Sequence, residues 1–351
     1  MNKEVSYKIT ILNFMFTIGM VSYHFRWVEP FNIKYINGLD QMLVNLYINF
    51  CDCIGFVAMS YFFFASAFLF YYNIDSSKAA FIKMKKRLKT LLIPYLIWNL
   101  IVLLYKVIRG EKIILSLKTI SFFFFLDPIN GPTWYLIALI LLMLPSFIIV
   151  KLKDKKVFSF ILLIFSLLIL TLRDLGIVNS IFQFKSCWWY GNMIDYLPTY
   201  ILGIFLGLNY SDLIIKEKYN RKKAIYVAIF LFIISILLLK FTSIRTLEIL
   251  SYVFIISGIW LIVRIKNIKS KLNSLLKMSF FIYVMHGPIL IPEVNRFYSL
   301  MFKDISLPGI AFILLKLFGI VLMIAFCKML IKILKKTVSD KTLFYLSGGR
   351  V

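Results

Sequence analysis

Histidine is almost absent from this chain: there are two in 351 residues, His24 and His286. The four cysteines (Cys51, Cys53, Cys187 and Cys327) show neither metal-ligand spacing nor a disulfide framework. Cys51 and Cys53 flank Asp52, but no histidine or second cysteine pair stands nearby, so no metal is expected. Acidic residues are scarce too, 16 against 41 lysines and arginines, which leaves a net charge of +25. A surplus of that size first suggests a nucleic-acid partner. Its distribution excludes that reading, because the basic residues fall in short stretches between apolar segments. That is the pattern of loops lying against anionic lipid, not of a face that docks a duplex.

What the chain has in abundance is apolar surface. Hydrophobic residues make up 61% of it and the mean hydropathy is +0.87, where a soluble domain is about 45–50% apolar. Apolar runs near bilayer-crossing length recur from end to end. Gly/Ser linkers and solenoid-length repeats are missing, as is any soluble extension. The expected fold is therefore a single all-α domain over residues 1–351, a polytopic membrane helix bundle of about ten transmembrane helices. The spans are placed at roughly 9–28, 52–73, 90–108, 134–150, 157–172, 194–210, 224–240, 244–263, 277–291 and 308–332. Residues 9–28 lack a small-residue cleavage site and read as a retained first span. The segment 112–126 ends in the run Phe122–Phe125 and carries Lys118; it is read as interfacial or re-entrant. With the N-terminus inside, basic residues concentrate in alternate connections, including 74–89, 151–156, 211–223 and 264–277 and the stretch from Lys328. The alternation places both termini in the cytoplasm and the chain in the cell membrane as a multi-pass protein.

Each histidine lies inside one of these spans, where an ionisable group is costly and is usually kept for function. In the first span Asn13, Thr17, Met20 and His24 follow at steps of four, three and four, which makes one helical stripe. In the ninth, Ser279, Tyr283 and His286 share a face, and Gly287-Pro288 loosens the backbone immediately after. Facing imidazoles would suit a base and its orienter around a hydroxyl acceptor. Interhelical hydrogen bonding would account for the same placement, and the residues alone leave both readings open. The cluster Lys83, Lys85, Lys86, Arg87 and Lys89 is either a phosphate clamp or an ordinary positive-inside anchor. The loop 173–193, with Trp188, Trp189 and Tyr190, offers sugar-stacking faces or interfacial anchors.

Several stretches taken in order carry a resemblance. Met20-Val21-Ser22-Tyr23-His24-Phe25 closes the first span. Tyr61 to Leu69 is an aromatic run into Ser66-Ala67-Phe68-Leu69. Lys86-Arg87-Leu88-Lys89-Thr90 leads into Leu91 to Asn99 with Pro94-Tyr95. Gly131-Pro132-Thr133-Trp134-Tyr135-Leu136 follows Asn130, Tyr196 to Gly207 comes mid-chain, and Ser279-Phe280-Phe281-Ile282-Tyr283-Val284-Met285-His286 comes late. Over essentially its whole length the chain resembles the acyltransferase 3 family of ten-span membrane acyltransferases.

The resemblance implies transfer of an acyl group, often acetyl, from cytoplasmic acyl-CoA to a hydroxyl of a cell-surface polysaccharide or glycolipid. It implies no permanently bound cofactor; the partners are the lipid bilayer, the glycan acceptor and polysaccharide-synthesis machinery. His24 matches the family's first-span histidine and becomes the expected general base, with His286 and Tyr283 as its helpers. Arg87 matches the first arginine of a pair that handles the acyl donor, with Lys86, Lys89 and Tyr95 beside it. Asn13, Ser66, Asn130, Trp134, Tyr135 and Ser279 are the expected substrate-path residues. Four positions depart from the family pattern: Asn13 replaces a cation, Thr90 the second arginine, Ala67 a glycine, and Ile137 an arginine. Two other classes stay open, a transporter of polysaccharide or lipid-linked intermediates and a non-catalytic assembly subunit.

Overall fold

In lipid a backbone segment can satisfy its own N–H and C=O groups only by becoming a helix or joining a closed barrel. This chain takes the first route. The computed structural model describes residues 3–27, 29–111, 128–152, 156–177, 188–215, 220–241, 244–265, 273–302 and 305–349. The expected re-entrant segment 112–126 lies outside the described residues, as do the side chains of Trp188, Trp189 and Tyr190. Among the described residues the only strand pairing is a two-residue parallel contact of Asn32–Ile33 with Ser306–Leu307. The all-α architecture stands.

Seven described helices are long and apolar enough to cross a bilayer: Lys3–Phe25, Gly38–Tyr71, Ser77–Ile108, Lys156–Asp174, Arg221–Phe241, Arg245–Ile265 and Gly309–Thr337. Where spans are expected at 134–150 and 194–210, the apolar helical stretches are shorter, Gly131–Met143 and Leu197–Asn209. The expected span 277–291 is a short helix, Ser279–Met285, followed by a π turn, His286–Leu290, that runs into Ile291–Phe302. The outward faces of the long helices are apolar. Phe230, Ile236, Leu314 and Val321 are each more than half exposed, as lipid-facing side chains should be.

Two helices begin well before their apolar windows, because local sequence favours helix there. Asn37 Oδ1 accepts the Asp40 N–H at 2.9 Å and caps Gly38–Tyr71. Ser76 Oγ accepts the Ala79 N–H at 3.2 Å and caps Ser77–Ile108. No glycine or proline intervenes from Ser77 until Pro94, and the lysines, arginine and leucines between them are good helix formers. The basic cluster Lys83–Lys89 is therefore helical, so its members take fixed and different faces.

The chain forms two compact units built from interleaved segments. The first comprises Met1–Thr10, Met59–Leu91 and Tyr135–Lys271. Small residues let its helices close on one another: a Cβ on Gly207 would stand 3.0 Å from the Phe68 carbonyl oxygen. Asp195, nearly buried, accepts from Arg173 and lies 3.6 Å from Arg245, which pairs with Glu248 at 2.7 Å. That cluster ties together the ends of three helices.

The second unit comprises Ile11–Ala58, Leu92–Trp134 and Leu272–Val351. Asp40 bonds the Gly309 and Ile310 N–H groups at 2.8 and 2.9 Å, capping the start of the helix Gly309–Thr337 with a carboxylate. Lys316, 1% exposed, lays its ammonium 4.0 Å from the Phe25 ring centroid and donates to the Glu29 carbonyl at 3.1 Å. Aromatic faces and one carbonyl thus replace the water this buried cation gave up.

Candidate active site

The two histidines meet in the second unit, with ring centroids 5.1 Å apart and planes at 45°. They are not equivalent. His24 stands in the last turn of Lys3–Phe25 and is exposed, its ring edge-on to Tyr23. His286 is fully buried. The stripe below His24 is polar but internally satisfied where it is buried: Thr17 Oγ1 donates to the Asn13 carbonyl at 2.7 Å.

The backbone around His286 follows from Gly287-Pro288. Proline has no N–H, so in an α-helix at Pro288 the Val284 carbonyl four residues earlier would lose its donor. The chain widens there into the π turn. Asn130 Nδ2 donates to the freed Val284 carbonyl at 3.0 Å. One residue back, the Tyr283 carbonyl stands 2.5 Å from His286 Nδ1. A carbonyl only accepts, so Nδ1 carries a proton. In the neutral ring Nε2 then holds a lone pair, and it is buried with no partner among the described residues.

A hydrogen-bond network from the Asn130–Thr133 turn holds this arrangement. Asn99 Oδ1 accepts the Asn130 N–H at 2.9 Å, Asn99 Nδ2 donates to Thr133 Oγ1 at 3.1 Å, and Thr133 Oγ1 donates to the Asn130 carbonyl at 2.7 Å. The Tyr283 hydroxyl donates to the Pro132 carbonyl. Asn130 thus bonds the backbone just before His286, and Tyr283 ties the same segment to the turn at Pro132. Ser279 is buried and bonds the Leu276 carbonyl at 2.7 Å, and Tyr95, also buried, offers its carbonyl to Asn99. Trp134 is buried at the end of the turn.

A feature the spacing did not single out lies just beyond His24. Arg26, 7% exposed, pairs its Nε with Asp52 Oδ1 at 2.6 Å and sits 4.1 Å from the centroids of both Tyr23 and Trp27. Asp52, between Cys51 and Cys53, therefore serves an ion pair. Among the described residues no three metal-ligating side chains cluster.

The first unit carries the remaining expected residues. Tyr135 Oη donates to the Phe62 carbonyl at 2.7 Å and receives the Ser66 hydroxyl at 2.7 Å. Arg87 turns partly inward, within electrostatic reach of the Tyr135 and Tyr200 phenols, and has no carboxylate partner among the described residues. Tyr71 and Tyr200 are buried with hydroxyls that have no partner there. Lys86 and Lys89 are exposed. Lys89, two residues from Arg87, is about 200° around the helix from it, so it does not converge with the guanidinium. Thr90 takes the near face instead and bonds the Arg87 carbonyl at 3.0 Å.

A family model described as an acyltransferase domain, Acyl_transf_3, matches residues 7–331. No curated protein and no solved structure matches the chain.

Proposed function

The chain belongs to the acyltransferase 3 family, and from that premise we propose that it moves an acyl group from acyl-CoA to a hydroxyl of a surface glycan or glycolipid, with His24 as general base. The observation that carries this reading is the asymmetric histidine pair, one ring exposed and one buried with a lone pair unspent. We assign His286 Nε2, which has no partner among the described residues, to accept the N–H of His24 in the reacting complex, leaving the other His24 nitrogen to take a proton. The acceptor hydroxyl loses its proton to that nitrogen as its oxygen attacks the thioester carbonyl carbon. The carbon–sulfur bond then breaks, and the proton on His24 passes to the departing thiolate. The products are the ester and free CoA thiol.

Tyr283, Asn130, Asn99 and Thr133 are positioning residues in this scheme: Asn130 bonds the backbone before His286, and the other three hold the turn that carries Asn130. Arg87 is the group we assign to the donor's phosphates: a guanidinium without a carboxylate partner among the described residues suits a phosphate ester. Exposed Lys86 and Lys89 add to the local potential. Ten spans with cytoplasmic termini complete the proposal and put the donor end of the reaction on the basic side.

The test is release of CoA thiol, coupled to ester formation, by purified protein supplied with acyl-CoA and glycan fractions. The wild type should release thiol only when acceptor is present. His24→Gln, folded and expressed at wild-type level, should lose at least a hundredfold of that rate, the usual worth of a positioned general base. Undiminished turnover in the variant overturns the assignment of His24.

A further inference from the structure

The strongest feature outside the histidine site is a groove at the lysine-rich end of the helix Gly309–Thr337. It encloses about 510 Å³ and is open on one side. Lys277, Lys328, Lys332 and Lys335 line it together with Met278 and Ile331, both of which are buried. No carboxylate lines it, and none of the four lysines has an ion-pair partner among the described residues. The helix itself contains no acidic residue.

The lysines share a helical face with an apolar track. Leu314, Phe318, Val321, Ala325, Lys328, Lys332 and Lys335 follow at steps of three and four, so they form one stripe, and all are exposed. From Leu314 to Lys328 the helix rises about 21 Å, more than the roughly 15 Å hydrocarbon depth of one leaflet. An ordinary positive-inside anchor needs only a count of charges near the end of a span. Here three amines continue one apolar stripe, and a fourth reaches the same groove from a different segment.

We propose that this groove binds an anionic glycerophospholipid, its phosphate held by Lys277, Lys328, Lys332 and Lys335 and its acyl chains lying along Leu314 to Ala325. Charge complementarity selects the anionic headgroup, and the apolar track selects a lipid over a soluble phosphate. Lys277 immediately precedes the segment that bears Tyr283 and His286, so the lipid would join that segment to the helix Gly309–Thr337. The inference does not depend on the proposed acyl transfer.

The experiment is a titration of delipidated, detergent-solubilised protein with phosphatidylglycerol or phosphatidylcholine, reading retained lipid by native mass spectrometry. Phosphatidylglycerol should be retained over phosphatidylcholine. Lys332→Gln with Lys335→Gln should weaken phosphatidylglycerol roughly thirtyfold, from about 1 kcal/mol per surface lysine. Lys332→Arg with Lys335→Arg should retain it, and so should Lys222→Gln with Lys223→Gln on exposed basic positions elsewhere. Equal retention of the two lipids overturns the proposal. So does an equal loss in the Lys222/Lys223 variant, or displacement of the lipid by adenosine 3′,5′-bisphosphate, which would make this a soluble-phosphate site.

Discussion

Asn130 and Pro288 should be energetically coupled, because the structure makes one the remedy for the other. Pro288 removes the backbone donor that the Val284 carbonyl would otherwise have, and Asn130 Nδ2 replaces it at 3.0 Å. Asn130→Leu keeps similar bulk but leaves a fully buried carbonyl without a donor, at a cost of about 1–3 kcal/mol. It also removes a buried Oδ1 that has no partner among the described residues, which offsets part of that cost, so the net loss should be about 1–2 kcal/mol. Pro288→Ala restores an N–H four residues after Val284 and lets the π turn relax toward an α-helix. In that background Asn130→Leu should cost no more than about 0.5 kcal/mol, a coupling of about 1 kcal/mol or more. The assay is denaturant-induced unfolding of the four purified proteins in mixed micelles. Equal cost of Asn130→Leu in both backgrounds would refute the reasoning. Relaxing the turn also shifts His286 against His24, so Pro288→Ala should lose acyl transfer without losing stability.

Other consequences are more local. Tyr283→Phe deletes only the hydroxyl that binds the Pro132 carbonyl; thermal unfolding should register about 1 kcal/mol, and steady-state kinetics a lower kcat with little change in KM. Arg87→Gln should raise the KM for acyl-CoA about tenfold or more and leave that for the acceptor unchanged, whereas an anchoring role alone would change neither. Gly207→Ala forces a Cβ to within 3.0 Å of the Phe68 carbonyl oxygen, and stability should fall by about 1–3 kcal/mol from overpacking.

The histidine pair is legible in the sequence, because two stripes with helical spacing, Asn13 to His24 and Ser279 to His286, each end on an imidazole. Their inequivalence is not. That His24 is exposed and His286 buried depends on which neighbours close over each ring, which no periodicity encodes. The π turn was half visible: Gly287-Pro288 announces a broken ladder, but the repair comes from Asn130, more than a hundred residues away. Asn99 and Thr133 escaped notice for the same reason, although both lie in stretches that carry the family resemblance. Arg26 and Asp52 were also missed, since an ion pair between separate helices leaves no spacing signal. The basic cluster is legible only in part. Hydropathy ends the span near residue 90, but Ser76 caps a helix that starts at Ser77. Once Lys86 to Lys89 are helical, Arg87 and Lys89 leave the helix on different faces.

The central claim, an exposed base backed by a buried orienter, is tested most directly by chemical rescue. His24→Ala and His286→Ala would be assayed for acyl transfer with and without added imidazole. The account predicts that imidazole restores activity to His24→Ala, whose lost ring stood exposed, and leaves His286→Ala unrestored behind its closed packing. Wild-type activity in His24→Ala without imidazole, or the same response to imidazole in both variants, would contradict it.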